Sequence, residues 1–191
     1  LSFTNLGFVD ADITGLDDVG ALAGYIGSVD LDKAYAYSRI NTTNQRGGGL
    51  VGRTFNTNIT NSYAITTIVN GSQIGGLVGL GQNYPRIEKS YAISTITGTS
   101  QIGGLVGYGN GAGDITIIDS YAVADLFGTS YVGGLVGDDS GGQVVITNSY
   151  VRGEINSTGS GGGLFAGFSF GGGTFTNSHS YSKINCGGQC G

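Results

Sequence analysis

The chain has 191 residues, which is room for one ordinary domain. Glycine accounts for 39 residues and proline for one, a balance that fits neither collagen nor a Pro/Gly-rich disordered linker. The net charge of −5 argues against nucleic acid as the main partner, because phosphate contacts need clustered Lys and Arg. No apolar run approaches the roughly 18 residues of a membrane-spanning helix, so we expect no membrane insertion.

Glycine-rich blocks recur along the chain at a regular period. Gly-Gly-Leu-Val-Gly stands at 75–79, 103–107 and 133–137, and related blocks surround Leu22, Leu50 and Leu164. Successive leucines of these blocks are 27 to 30 residues apart. Self-similarity at such a period is typical of solenoids and other stacked-repeat architectures.

A second block, Asn-Ser-Tyr-Ala at 61–64, runs in step with the first. Its aromatic column, extended to both ends of the chain, comprises Phe8, Tyr35, Tyr63, Tyr91, Tyr121, Tyr150 and His179. An aliphatic column follows five residues later and comprises Ile13, Ile40, Ile68, Ile96, Leu126, Ile155 and Ile184. The chain therefore contains seven copies of the aromatic block and six copies of the glycine block.

The residues that follow each aromatic position alternate between two faces, and no stretch has helical spacing. One face carries Ala or Val, a small residue, and Ile or Leu. The other face carries the column Asp12, Arg39, Thr67, Thr95, Asp125, Glu154 and Lys183. This alternation predicts strands with one buried and one solvated face. We therefore predict an all-β fold, a parallel β-solenoid (β-helix) of about six to seven coils with a repeat of about 28 residues. It forms a single domain over residues 1–184, followed by a short Gly/Cys-rich tail over 185–191.

The paired Gly-Gly-Leu-Val-Gly and Asn-Ser-Tyr-Ala blocks resemble the GLUG repeats of bacterial surface proteins. The resemblance extends from about Phe8 to Ile184. It implies a secreted or surface-exposed β-solenoid segment, similar to parts of large adhesins, and it transfers no catalytic residue. The sequence departs from the pattern at His179, which replaces the tyrosine, and at 187–191, a collapsed final glycine block.

Polar clusters were weighed as sites for metal binding or catalysis. The acidic pairs Asp10/Asp12, Asp17/Asp18, Asp30/Asp32 and Asp138/Asp139 match no calcium-loop pattern, so we expect solvated acids. His179 is the only histidine, which supports neither a His-based metal site nor a catalytic triad. We therefore expect no catalytic residue, no metal site, no cofactor and no enzymatic activity. The strongest enzymatic alternative is a polysaccharide-cleaving β-helix, which would need clustered carboxylates.

The aromatic column has two interpretations. Stacked rings that serve as structural packing are the favoured one, since each stacked pair contributes about 0.5–1.5 kcal/mol. The alternative is an exposed ladder that stacks sugars or another protein.

Cys186 and Cys190 enclose only three residues, and two cysteines in a secreted chain favour a disulfide bridge. Free thiols in a cytoplasmic protein remain the alternative. Asn41, Asn58, Asn70 and Asn156 begin Asn-x-Ser/Thr sequons, which permit glycosylation without establishing it.

Length differences between repeats collect at one corner of the coil, in 80–86, 108–114, 138–143 and 168–173. Insertions at equivalent positions of a solenoid lie along one edge, which is often the binding edge. The candidate binding residues at this edge are Asn83, Tyr84, Arg86, Tyr108, Asn110, Asp138 and Asp139.

Together these observations favour a non-catalytic extracellular or cell-surface module, structural or adhesive: a rigid stalk, spacer or fibre subunit. The alternative is a dedicated binding protein for carbohydrate or ice, although only Thr67 and Thr95 form an uncharged threonine pair in their column. The expected partners are flanking domains of a longer chain, or a second copy stacked head-to-tail. A host or matrix receptor or glycan is a further candidate. A β-solenoid exposes unpaired strand edges at its ends, and we expect these ends to be covered.

Overall fold

The computed structural model describes the whole chain, residues 1–191, and contains strands and turns but no helix. No segment forms a helix that is long and apolar enough to cross a membrane. The strands are, in chain order, β1 (Ser2–Thr4), β2 (Gly7–Gly20), β3 (Ala23–Gly27), β4 (Asp30–Asp32), β5 (Tyr35–Gly48), β6 (Val51–Phe55), β7 (Asn58–Thr60), β8 (Tyr63–Val69), β9 (Ser72–Gly75), β10 (Val78–Gln82), β11 (Arg86–Glu88), β12 (Tyr91–Thr97), β13 (Ser100–Gly103), β14 (Val106–Asn110), β15 (Ile115–Ile118), β16 (Tyr121–Gly128), β17 (Ser130–Gly133), β18 (Val136–Asp139), β19 (Val144–Thr147), β20 (Tyr150–Ser157), β21 (Gly162–Gly163), β22 (Ala166–Ser169), β23 (Gly173–Thr176) and β24 (His179–Cys186).

These strands stack into three parallel sheets that share one axis. The first sheet has seven strands in the order β1-β4-β7-β11-β15-β19-β23. The second sheet contains the tyrosine strands β2, β5, β8, β12, β16, β20 and β24, together with the shorter strands β9, β13, β17 and β21. The third sheet has six strands in the order β22-β18-β14-β10-β6-β3. The predicted β-solenoid of about seven coils is therefore confirmed.

The register pairs each residue with its equivalent one repeat away. Tyr91 lies between Tyr63 and Tyr121, and Ile96 lies between Ile68 and Leu126. The aliphatic column is buried from Ile40 to Ile155, whereas its polar neighbour Thr95 is exposed. A single cluster of 33 buried apolar residues runs through the coils, so the solenoid has one continuous core.

The glycine blocks form the narrow corner of each coil, where two strands approach with no room for a side chain. A Cβ on Gly76 would lie 2.1 Å from the carbonyl oxygen of Gly104 and 2.6 Å from the Cβ of Ala92. Gly104 meets the backbone of Gly134 in the same way. The repeated glycines are therefore required by close approach of neighbouring coils.

The first coil departs from the predicted register. Gly7 pairs with Tyr35, and Phe8 pairs with Ala36. A bulge lies between Phe8 and Ala11, and Asp10 within it has a φ of 59°. Counting back from Ile13 at constant spacing passes over this extra residue, so the placement of Phe8 in the aromatic column is wrong.

The C-terminal residues predicted as a separate tail pair with the solenoid. Gly162 donates its N–H to the carbonyl of Gln189 at 3.0 Å and forms a parallel bridge with Cys190. Cys186 and Cys190 are joined by a disulfide. Residues 187–191 thus occupy the place of the glycine block in the seventh coil.

Candidate functional site

The tyrosine column forms a continuous stack along one side of the second sheet. Centroids of neighbouring rings from Tyr35 to Tyr150 are 5.6, 4.9, 4.8 and 4.7 Å apart, and the rings are within 15° of parallel. These distances match the strand spacing of about 4.8 Å, because each ring starts an equivalent strand. His179 continues the register beside Tyr150.

A serine at the corner before each tyrosine sets this geometry. Ser90 Oγ accepts the Ser62 N–H at 3.0 Å and donates to the Glu88 carbonyl at 2.8 Å. The same hydrogen bonds recur along a serine column made of Ser62, Ser90, Ser120, Ser149 and Ser178. The sequence analysis missed this ladder, although serine recurs before the aromatic position.

The phenol groups of the stack are neutral at pH 7. The Tyr37 hydroxyl lies 3.4 Å from the Tyr63 hydroxyl, and this contact together with burial raises the pKa of Tyr63 to about 12. Burial also raises the pKa of Tyr91 and that of Tyr121. The column therefore presents a row of uncharged hydroxyl groups.

Stacking decides how this column can meet a ligand. Each inner ring is covered on both faces by its neighbours at 4.7–5.6 Å, so the rings present their edges and hydroxyl groups to solvent. A sugar packs against an aromatic face, which the inner rings do not offer. The geometry fits the packing interpretation of the column.

A shallow groove runs along the axis beside the tyrosine stack. One wall is the mainly apolar column Tyr37, Ile65, Ile93 and Val123, and the other wall is Arg39, Thr67, Thr95 and Asp125. Thr67 and Thr95 are in register, but Arg39 and Asp125 flank them in the same column. The uncharged threonine surface therefore spans two coils.

The insertion edge consists of the loops between the third and the first sheet. These loops lengthen from two residues after β3 and β6 to four after β14 and β18. Tyr84 is 62 % exposed and Asn110 is exposed, while Asn83, Arg86 and Tyr108 are half-buried. Arg86 forms an ion pair with Glu88 at 2.8 Å.

The expectation that Asp138 and Asp139 are solvated acids on this edge is wrong. Asp138 is 5 % exposed and Asp139 is 1 % exposed. Asp138 accepts a hydrogen bond from Gln101 Nε2 at 2.7 Å, and Asp139 accepts one from the Gly141 N–H at 3.1 Å. Burial raises the pKa of both carboxyl groups, and one oxygen of each has no hydrogen-bond partner.

Several other acids are engaged in local contacts. Asp18 forms ion pairs with Arg46 at 2.6 Å and with Arg53 at 3.3 Å. Asp32 accepts hydrogen bonds from Asn61 and Thr60, which lower the pKa of its carboxyl group. No three His, Cys, Asp or Glu side chains converge in a way that would hold a metal ion.

The family model of the GLUG motif matches two consecutive segments of the chain, residues 43–69 and 70–97. No curated protein and no solved structure matches the chain. Each matched segment contains one glycine block and the tyrosine strand that follows it. Because the next coils pair with these segments in unbroken register, the same unit continues beyond them. The chain is therefore a GLUG-repeat protein, as its paired blocks indicated, with the motif matched at residues 43–97.

Proposed function

We propose that the chain is a non-catalytic, extracellular module of a surface protein, acting as a rigid spacer, stalk or fibre subunit. The observation that carries the proposal is the continuity of its axial contacts. One apolar core, three parallel sheets and the serine and tyrosine ladders join each coil to the next. With a strand spacing of about 4.8 Å, the seven coils make a rod on the order of 34 Å long.

The use of the acidic side chains supports a structural role. Asp18 neutralises two arginines, and Asp32 binds the corner of the next coil through Thr60 and Asn61. These carboxylates contribute to coil stacking. Cysteines that form a disulfide persist in oxidising compartments, which supports a location outside the cytoplasm.

The adhesive form of the proposal assigns contact with a receptor or glycan to the insertion edge. Tyr84 offers an exposed ring there, and its ring lies over Gly113 of the following loop. Exposed aromatic side chains are common anchors of binding surfaces. Asn110 adds an exposed amide on the same edge.

The location is tested with an antibody against the folded chain on intact cells that produce the protein. We expect labelling of intact cells and its loss after brief treatment with an external protease. Labelling only after lysis would contradict the extracellular proposal.

The adhesive role is tested by binding of the purified chain to glycan and matrix panels. Tyr84→Ser should abolish any binding that the insertion edge mediates, while Tyr181→Ser, an exposed tyrosine on another sheet, should leave it unchanged. Equal binding by both variants would remove the insertion edge from the proposal. Product release from a polysaccharide panel would instead support an enzyme.

A further inference from the structure

Both ends of the solenoid expose positions that the inner coils bury. The inward column of the first sheet is at most 2 % exposed from Leu31 to Ile146. Its two terminal members differ: Phe3 is 44 % exposed and Phe175 is 49 % exposed. The end coils therefore present apolar surface that the next coil would cover.

The end strands also present unpaired backbone groups. β24 pairs only with β20, and its His179 N–H donates to the Ser149 carbonyl at 3.0 Å. Hydrogen bonds of a parallel strand alternate between its two sides, so Ser180, Ser182 and Ile184 direct their N–H and C=O groups away from the solenoid. A regular edge of this kind recruits another strand.

We propose that a second copy of this chain stacks head-to-tail, with β23 and β24 of one copy against β1 and β2 of the next. The joint continues the internal register, so that Phe175 meets Phe3 and Ile184 meets Ile13 across the interface. This inference deepens the fibre-subunit form of the proposed function and rests on it. A contact between unlike ends does not close, so it generates an open filament.

Charge complementarity selects the occupant. Residues 1–32 contain six acids and no base, whereas Lys183 is the charged residue of β24. Asp12 pairs with Arg39 in the first two coils, and Glu154 pairs with Lys183 in the last two. Continuing that column across the joint places Lys183 beside Asp12 of the next copy, an opposite-charge pair between adjacent strands.

Contacts between like ends are less favourable. Two N-terminal ends would bring the acids of both first coils together without a base. Two C-terminal ends would pair β24 with an antiparallel copy of itself, and the columns would not continue.

Two features restrict the joint to part of the end surface. The bulge between Phe8 and Ala11 limits regular pairing on β2 to the residues that follow it. The third sheet ends at β22 in the sixth coil, so the first and second sheets carry the contact.

The first test is the mass of the full chain across a concentration series at low salt, by light scattering. We expect the mass to increase beyond that of a dimer and to decrease as salt screens the charged ends. A mass that stays monomeric, or one that stops at a dimer, overturns the head-to-tail joint. Either result leaves a single-copy spacer possible, and the cell-labelling experiment judges that function separately.

The second test uses variants of the joint. Lys183→Glu should lower the association constant about tenfold, because a like-charge pair replaces an opposite-charge pair between adjacent strands. The double variant Lys183→Glu with Asp12→Lys should restore association. Arg152→Glu makes the same charge change one coil inside and should leave association unchanged. Equal effects of Lys183→Glu and Arg152→Glu, or no rescue by the double variant, would overturn the register.

A third variant tests the backbone edge. Ser182→Pro removes an outward N–H of β24 without removing a bond to β20, so it should stop growth while leaving the circular-dichroism melt close to that of the wild type. Undiminished growth by a folded Ser182→Pro chain would contradict edge pairing through β24. If this variant does not fold, the charge variants decide.

Discussion

The central coils and the two terminal coils carry the same columns of residues but bury them differently. Ile96, in the fourth coil, is completely buried between Ile68 and Leu126. Ile13 and Ile184, at the two ends of the same column, are only half-buried. Burial in this fold is therefore determined by the neighbouring coils, since each coil is too thin to cover its own core.

The hydrogen-bond ladders show the same difference. The serine column begins only at Ser62, and Ala34 holds the equivalent position in the preceding coil, where it donates its N–H to Ser62 Oγ at 2.9 Å. At the other end, Ser178 closes the column and accepts the Ser149 N–H at 3.2 Å. The axial network is thus densest in the middle, and stability is expected to fall toward the ends.

The largest expected effect is at the buried aliphatic column. Ile96→Asp places an unpaired charge in the core and should lower the free energy of unfolding by about 3–5 kcal/mol. Ile184→Asp, in the last coil, should cost about 1 kcal/mol, because water reaches the new carboxylate. Urea unfolding followed by circular dichroism measures both.

A control on the opposite face checks the assignment of faces. Thr95→Asp should cost no more than about 1 kcal/mol, because the side chain is exposed and its penalty comes from repulsion by Asp125 on the adjacent strand. If Ile96→Asp and Thr95→Asp unfold at the same urea concentration, the two faces have been assigned wrongly.

A smaller effect is expected from the serine ladder. Ser90→Ala leaves the buried Ser62 N–H without an acceptor and should cost about 1–3 kcal/mol. Ser178→Ala removes the equivalent bond at the C-terminal end, where water can replace it, and should cost less than about 1 kcal/mol. Thermal melts of the two variants give the comparison. An equal loss at both positions would show that the ladder contributes the same stability at the ends as in the middle.

The smallest effect is a pH dependence at the buried acids. Because burial raises the pKa of Asp139 above 3.8, the native state retains this proton at a pH where the unfolded state has lost it. Stability from this group is therefore highest below pH 3.8 and is lost as the pH rises through the native pKa. Asp139→Asn retains the acceptor for the Gly141 N–H and removes the buried charge.

We therefore expect Asp139→Asn to be more stable than the wild type at pH 7, with a difference that disappears as the pH falls toward 4. Urea unfolding at a series of pH values measures the difference. Asp114→Asn, an exposed acid on a neighbouring loop, is the control and should change stability less. A variant at Asp139 that is less stable at pH 7 would show that its carboxylate is needed in the charged form.

The repeat period predicted most of the fold because one coil packs on the next with equivalent residues in contact. Tyr35, Tyr63 and the later tyrosines align as the spacing required, and so does the aliphatic column. The prediction failed at Phe8, where a bulge adds one residue to β2 and breaks the assumption of constant spacing. A bulge of this kind has no strong signal in a single sequence.

The candidate site was predicted less well. The insertion edge lies where the loop lengths placed it, but Asp138 and Asp139 are buried because neighbouring coils pack over them. Gln101 and Asp138 come from different coils and are 37 residues apart in the chain, so no local pattern connects them. The serine ladder was visible as a repeated residue, yet its role depends on a hydrogen bond between coils.

The sequence by itself determined the period, the alternation of faces and the columns that stack, because each of these is repeated in every coil. Only the tertiary structure decided which members of a column are buried, which hydroxyl groups bridge coils, and how the last residues complete the seventh coil. These properties depend on contacts between coils about 28 residues apart, and on whether a neighbouring coil is present at all.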